Sequence, residues 1–201
     1  MVRFHPIAPD AFPAGELRAP AILCPIVFQP YKRMDERLRE LVAAVDALAD
    51  PEVTVRVTAA PAELPPDLAD HPRLIALGRL PWERLRATWA RSRAVYFPTG
   101  LEAFGLPLAE ARLSGHPVIA RYTAQSRELA GAALCGYTLG DAGSLRDAVA
   151  RALTTTVAPD PDPFDPAAYF DFLLGPRSFE RSARASSATI RSGSPNTSSL
   201  V

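Results

Sequence analysis

The sequence has no excess of charge of either sign and no long hydrophobic run. Lysine and arginine together number 22, as do aspartate and glutamate, so the formal net charge is zero. The overall field of such a chain would not hold a polyanion or an anionic membrane, which argues against a nucleic-acid partner. No apolar stretch approaches the roughly 20 residues that span a bilayer, and the chain does not open on a basic segment followed by an apolar one. We therefore predict no transmembrane segment and a cytoplasmic location.

Residues that bind metals or form disulfides are also scarce. The two cysteines, Cys24 and Cys135, lie in apolar stretches without a second cysteine or a histidine at ligand spacing. We interpret them as buried free thiols in a reducing compartment and predict no metal site. The three histidines, His5, His71 and His116, fall in proline-flanked loops with no nucleophile or acid arranged beside them, which favours surface or linker positions.

The sequence does contain a regular alternation of short apolar runs with helical segments. The runs typical of β-strands are Ala21–Phe28, Val53–Thr58, Leu74–Gly78, Ala94–Pro98, Pro117–Ala120 and Leu134–Thr138. Continuously apolar strands that alternate with helices indicate a parallel sheet covered on both faces. The predicted fold class is therefore α/β, with a doubly wound, mostly parallel, Rossmann-like sheet.

Capping residues predict where several helices begin. Asp35 is a candidate N-cap for a helix that runs to Leu48, and Pro81 can open a second helix. Ser144 and Asp147 form a capping-box pattern ahead of a third apolar face.

One segment, residues 97–120, joins these signals to candidate functional residues. Its pattern indicates a strand, a loop, a helix, a turn and a second strand. Pro107 suits the first turn of the helix because its missing N–H is not needed there, and Gly115 can end the helix in the left-handed conformation. Glu102 therefore falls in the loop at the carboxyl end of a strand, and Glu110 falls on the helix that follows. Open α/β sheets bind their ligands at that edge.

These residues offer two kinds of group to a ligand. Backbone amides around Phe104, Gly105 and Leu106 would face an anion, and the start of the helix adds its partial positive charge. Ionised Glu102 and Glu110 accept hydrogen bonds and therefore match hydroxyl donors. The pattern fits a ligand that carries both a phosphate and a polyhydroxyl part.

The segment resembles the signature of family 4 glycosyltransferases, also called glycosyl transferases group 1. Glu102 and Glu110 form a Glu-x7-Glu pair inside the order aromatic, glycine, proline, glutamate, glycine, proline and strand. Members of that family have the GT-B fold, and they are retaining and metal-independent. The resemblance implies that Glu110 holds the ribose hydroxyls and that Glu102 contacts the transferred sugar as the catalytic residue. It also implies that the amides of Phe104, Gly105 and Leu106 lie near the diphosphate or the sugar.

The resemblance extends over residues 4–153. Lys32 falls at the family's phosphate-binding lysine, which makes it the candidate for neutralising the diphosphate. In the loop after residue 120, Glu128 aligns with a family glutamate, and Ser126 is a candidate cap for the short helix that follows.

One departure from the family concerns the phosphate site. The arginine that normally precedes the lysine by a few residues is absent, because Ile26 and Val27 occupy that strand end. Arg33, Arg79 and Arg121 are the alternatives for the missing cation.

The resemblance and the composition together divide the chain into four segments. Residues 1–20 resemble an interdomain linker, and residues 21–156 are predicted to be a nucleotide-sugar-binding Rossmann-like domain. Residues 157–175 are predicted to be a proline-rich linker and a docking helix, for which Asp165 and Pro166 provide an N-cap and a first turn. Residues 176–201, rich in serine and arginine, are predicted to be a disordered tail.

The function implied by the resemblance is that of a glycosyltransferase donor domain in glycan biosynthesis. Its donor substrate would be a nucleotide-diphosphate sugar, with no further cofactor. The GT-B active site lies between two Rossmann-like halves, so we expect hexosyltransferase activity to require an N-terminal acceptor domain or a partner chain. A non-catalytic nucleotide-sugar-binding or scaffold protein is the alternative, favoured by the missing arginine and the missing half. An α/β domain without a ligand is a third interpretation.

Overall fold

The computed structural model describes residues 4–8, 18–26, 32–99 and 103–175. The strands are β1 (Ala19–Cys24), β2 (Thr54–Val57), β3 (Leu74–Ala76), β4 (Ser92–Phe97), β5 (Val118–Arg121) and β6 (Leu134–Tyr137). The helices are α1 (Met34–Asp46), α2 (Pro66–Ala69), α3 (Trp82–Arg91), α4 (Leu106–Ser114), α5 (Ala124–Ala130), α6 (Ala142–Thr154) and α7 (Pro166–Leu174). Each predicted strand is present, with ends that differ by a few residues.

The six strands form one parallel sheet in the order β3–β2–β1–β4–β5–β6. From β1 the chain steps outward to β3 on one side, then returns to β4 and steps outward to β6 on the other. The direction of winding therefore reverses between β1 and β4, which defines a topological switch point. The predicted doubly wound α/β fold is confirmed.

The central strands are covered on both faces, as their unbroken apolar sequences require. Residues 21–24 of β1 are fully buried, and so are residues 94–96 of β4. Helices α1 and α6 pack together over the face that carries Ile22, Tyr96 and Ile119. Helices α3, α4 and α5 lie against the sheet on its other side. Each large apolar side chain buried in this way stabilises the fold by roughly 1.5–3 kcal/mol.

Asp35 is not the N-cap of α1, so that prediction is wrong. The cap is Arg33, a non-glycine residue at φ 48°, and its side chain forms no capping hydrogen bond. Asp35 lies in the first turn of the helix, where its carboxylate is 3.3 Å from the guanidinium of Arg39. Its charge still favours the positive end of the helix dipole from that position.

Two further cap predictions are corrected in the same way. Asp141 caps α6 by accepting from the amide of Ser144 at 2.9 Å, so the helix begins before the predicted capping box. The Ser144 hydroxyl instead accepts from the amide of Thr138. Thr123 caps α5, and the predicted cap Ser126 stands three residues later as its reciprocal partner. In both helices the true cap lies three residues before the predicted one. Both residues of each pair are polar and suit a capping position, so the sequence alone does not distinguish them.

His116 is a core residue, which corrects the predicted surface position. Its side chain is fully buried, and its Nδ1 lies 2.9 Å from the hydroxyl of Ser114. The ring of Trp89 meets it edge-on with the centroids 6.0 Å apart. Burial, followed by the nearby charge of Arg18, lowers the pKa of His116 to about 4. The histidine is therefore neutral at physiological pH and joins the end of α4 to α3.

Both cysteines are buried free thiols, as predicted. Burial raises the pKa of Cys24 and of Cys135 above the ordinary value. The two side chains are therefore uncharged and pack as small apolar residues.

The chain divides into two compact units, residues 9–162, which contain the sheet, and residues 1–8 with 163–201. In the second unit the amide of Ile7 donates to the carbonyl of Phe164 at 3.1 Å. The rings of Phe4 and Phe164 have centroids 5.3 Å apart. Asp165 caps α7 through the amides two and three residues later, as predicted. The predicted tail lies outside the described residues.

Candidate functional site

The candidate site residues follow the two strands that flank the switch point. Lys32 comes after β1, while Phe104, Gly105, Leu106 and Glu110 come after β4. Parallel neighbouring strands end at the same edge of a sheet, and the switch point opens a crevice there. The fold therefore brings these residues to one edge. Glu102, the predicted catalytic residue, lies outside the described residues.

The start of α4 presents backbone donors at this edge. Gly105 caps the helix at φ 86°, a conformation that side chains rarely adopt, and its carbonyl accepts from the amide of Leu108 at 3.0 Å. The amide of Leu106 stands at the first helical position, where no earlier turn supplies an acceptor. Pro107 follows in the first turn, as predicted, so it adds no donor that would need a partner. The arrangement suits an anionic group.

Glu110 is the most unusual charged side chain of the site. It lies in the second turn of α4, between the fully buried Ala109 and Ala111. No hydrogen bond or ion pair from the described residues reaches its carboxylate, and burial raises its pKa to about 7. A partly buried carboxyl group without a partner costs free energy when it is ionised, and a ligand hydroxyl would offset that cost.

Lys32 and the three candidate arginines differ in their partners. Lys32 is partly buried and stands two residues before α1. Arg33 pairs with Glu36, and Arg79 lies 3.3 Å from Glu63.

Arg121 is the remaining alternative for the missing phosphate cation. It ends β5, is partly buried and forms no ion pair within the described part of the chain. Burial raises the pKa of Tyr137, its neighbour on β6, and the charge of Arg121 is one of the smaller effects that oppose this rise. Arg121 is therefore the candidate arginine whose charge is not already committed to a carboxylate.

Two polar residues at this edge were not predicted from the sequence. The hydroxyl oxygen of Thr99, two residues beyond β4, is buried, and no described residue forms a hydrogen bond with it. Thr99 could have been found from the sequence, because it is a hydroxyl residue directly after a predicted apolar strand. Gln125 of α5 donates its side-chain amide to the carbonyl of Phe104 at 3.1 Å and so fixes the loop before α4. That contact joins residues 21 positions apart, so no local sequence pattern predicts it.

Metal-ligand clusters and membrane-spanning helices are both absent from the residues that the structure describes. No group of three or more histidine, cysteine, aspartate or glutamate side chains in these ranges is placed to hold a metal ion. None of the described helices has the length and apolar character needed to cross a bilayer.

Glu110 leads to a prediction about stability and pH. Its pKa is raised on folding, so the folded chain binds the proton more tightly, and stability falls as pH rises from about 4.5 through 7. The ionised group then costs up to about 3 kcal/mol. We expect Glu110→Gln to be more stable than the parent at pH 8, and the difference to shrink to less than about 1 kcal/mol near pH 5. Urea unfolding at both pH values measures it.

A matched control for this experiment is Glu83→Gln, because the Glu83 side chain is 79% exposed. It should change stability equally at both pH values. If the stability of Glu110→Gln relative to the parent did not increase between pH 5 and pH 8, the assignment of a costly buried carboxylate would be contradicted.

Comparison with known proteins identifies the fold. No protein-family model matches the sequence, and no curated protein matches it. Among solved structures, the lipopolysaccharide outer core galactosyltransferase WaaB is 18% identical with a TM-score of 0.60, covering 92% of this chain and 56% of its own. The α,α-trehalose 6-phosphate synthase of Burkholderia multivorans is 17% identical with a TM-score of 0.57, covering 89% and 45%. The UDP-GlcNAc 2-epimerase of Methanocaldococcus jannaschii is 14% identical with a TM-score of 0.56, covering 84% and 45%.

These similarities define the class of fold. The first two neighbours are GT-B glycosyltransferases, and the chain has the fold of part of such an enzyme. It spans about half the length of the structures that it matches.

Proposed function

We propose that the chain is the donor-binding half of a glycosyltransferase and binds a nucleotide-diphosphate sugar at the carboxyl edge of β1 and β4. The observation that carries this proposal is the carboxylate of Glu110, which is partly buried, has no partner in the described chain and lies on the helix that starts at the switch point. A vicinal pair of ribose hydroxyls donates two hydrogen bonds to such a group. Calorimetric titration with UDP and GDP, with the Glu110 variants described in the Discussion, tests it.

The remaining groups bind the other parts of the ligand, which are its diphosphate and its sugar. The amides of Gly105 and Leu106 and the start of α4 face the diphosphate, and Lys32 neutralises it. Glu102 contacts the transferred sugar, a role taken from the resemblance to family 4 enzymes, as are the retaining outcome and the independence from metals. Phe104 contributes its backbone, which Gln125 holds in place.

Arg121 replaces the absent family arginine in this proposal. Arg33 and Arg79 already pair with glutamates, whereas Arg121 ends the strand beside β4 without a carboxylate partner in the described chain. In this proposal the phosphate-binding arginine stands at the end of β5, whereas the family has it at the end of the strand that corresponds to β1. Either position lies at the same edge of the sheet.

The acceptor half is proposed to come from another domain or chain. The matched part of the solved structures is about half of each, and the GT-B active site requires both halves. In α7 the side chains of Phe170, Phe172, Leu173 and Leu174 are 40–63% exposed, and no residue of the helix is buried. We propose that this aromatic helix is the docking element for that half.

A second candidate function is binding without transfer. The absent arginine favours it, and the similarity to an epimerase means that this half-fold does not by itself specify glycosyl transfer. Mixing the chain with a candidate acceptor domain distinguishes the two. Transfer of sugar that appears only in the mixture supports the glycosyltransferase, and nucleotide binding without turnover supports the binding protein.

Nucleotide binding is predicted to need no divalent metal. The sequence has no Asp-x-Asp motif at an apolar strand end, and its one Asp-x-Asp match, Asp160–Asp162, is already committed because Asp160 accepts from Arg112 at 2.8 Å. The amides of α4 and Lys32 supply the positive charge instead. Calorimetry with UDP should give the same affinity in EDTA and in magnesium. Binding that disappeared in EDTA would contradict the prediction.

A further inference from the structure

A cleft lies at the opposite edge of the sheet from the proposed nucleotide site. Its volume is about 860 Å³, within the range of small-molecule sites. Arg18 and Pro20 line it at the start of β1, and Arg93 lines it at the start of β4. Leu48, just beyond α1, and Leu153 of α6 supply apolar walls.

The two arginines of this cleft both donate to backbone carbonyls. Arg18 donates from Nη1 to the carbonyl of Gly115 at 3.0 Å, and Arg93 donates from Nε to the carbonyl of Leu153 at 2.7 Å. Within the described ranges, neither guanidinium forms an ion pair. Asp50 also lines the cleft, but its carboxylate accepts from a neighbouring amide, that of Glu52.

Arg18 is the less satisfied of the two arginines. Its Nε is buried and has no hydrogen-bond acceptor among the residues that the structure describes. Burial, and then the nearby charge of Arg93, lowers the pKa of Arg18 from its ordinary value. Two like charges held together at the wall of an apolar cleft stabilise an anion placed between them.

We propose that this cleft binds a small organic anion whose carboxylate or phosphate lies between Arg18 and Arg93 and whose apolar part packs against Pro20, Leu48 and Leu153. Arg93 also donates from Nη2 to the carbonyl of Thr155 at 3.2 Å, and the remaining N–H donors of the two guanidiniums match the oxygens of either head group. The site is separate from the proposed nucleotide edge, so its occupation does not depend on that assignment.

The test uses four probes on the full chain, titrated by calorimetry: inorganic phosphate, hexyl phosphate, hexanoate and 1-hexanol. We expect at least one of the two amphiphilic anions to bind about tenfold more tightly than inorganic phosphate, since it adds apolar contact, and hexanol not to saturate. The stronger of hexyl phosphate and hexanoate identifies the head group. Saturating UDP should leave this binding unchanged.

Two variants locate the site. Arg18→Gln should weaken binding of the stronger anion by about tenfold or more, because a charge-assisted contact is lost. Thr156→Glu places a carboxylate at an exposed position of the cleft without removing either arginine, and it should abolish binding even if the Arg18 variant proves unstable. Arg84→Gln, an exposed arginine on α3, is the control that should change nothing. Anions that bind no better than hexanol, or binding that both cleft variants leave intact, would overturn the proposal.

Discussion

Replacing Glu110 with alanine is expected to weaken UDP or GDP binding by about a hundredfold or more. A hydrogen bond to a charged acceptor contributes roughly 1.5–3 kcal/mol, and a carboxylate that accepts from two ribose hydroxyls has two of them. Part of this gain is offset near neutral pH, because burial raises the pKa of Glu110 to about 7 and ionisation must precede binding. Calorimetry on the purified chain, with circular dichroism to confirm the fold, measures the effect.

Two comparisons make this result specific to Glu110. Phe104→Ala should have a smaller effect, because Phe104 is proposed to act through its backbone. Glu83→Ala removes an exposed glutamate from α3 and should leave affinity unchanged. A folded Glu110→Ala variant with the parent's affinity would remove the central residue of the proposed site.

The pH dependence gives an independent readout of the same contact. Only the ionised carboxylate accepts from both hydroxyls, so affinity of the parent should fall as pH drops below 7, with a proton released on binding near that pH. In Glu110→Gln this dependence should be lost, since the amide does not titrate. Equal slopes in the parent and the variant would place the titrating group elsewhere.

The sequence predicted the sheet well because its signals are local. Each strand is a short apolar run, and burial on both faces requires that pattern wherever a parallel sheet is packed between helices. Gly115 was correctly placed as a left-handed C-cap, with φ 65°, for the same reason: the glycine and the proline two residues later define the turn alone.

The errors arose where more than one polar residue could satisfy the same backbone groups. Asp141 and Ser144 both suit an N-cap, and only the position of the helix on the sheet decides between them. The burial of His116 was also not predictable from its proline-flanked sequence. It depends on Trp89 and Ser114, which are brought beside it by packing of α3 against α4.

The candidate site shows the same limit. The positions of Lys32 and Glu110 relative to strands were predictable, because the chain order of strand, loop and helix fixes the edge to which they belong. The isolation of the Glu110 carboxylate and the pairing of Arg33 and Arg79 with glutamates were not, because ion pairs depend on side-chain geometry between elements. Of the three alternatives for the phosphate cation, Arg121 is the one without a carboxylate partner in the described part of the chain.

The second large effect is expected in stability, from Gly115→Ala. Gly115 ends α4 at φ 65°, and a Cβ there would lie 2.7 Å from the carbonyl oxygen of Val157 and 2.9 Å from the ring of Pro159. Both neighbours belong to the segment that returns along α4, where the amide of Asp160 donates to the carbonyl of Arg112 at 3.0 Å. Because the obstructing atoms are backbone and a proline ring, the segment must shift and lose this contact. We expect a loss of about 3 kcal/mol or more in the free energy of unfolding.

Gly140→Ala is the matched control that separates strain from collision. Gly140 has φ 80°, but a Cβ there meets nothing within 4 Å, so its substitution should cost only the conformational strain, about 1–2 kcal/mol. The excess loss in Gly115→Ala, measured by urea unfolding at one pH, is then the cost of displacing residues 157–160 from α4. Equal losses in the two variants would show that this segment does not pack against the end of α4. A clearly larger loss in Gly115→Ala would confirm that this segment contacts the carboxyl end of α4, the helix that carries Glu110.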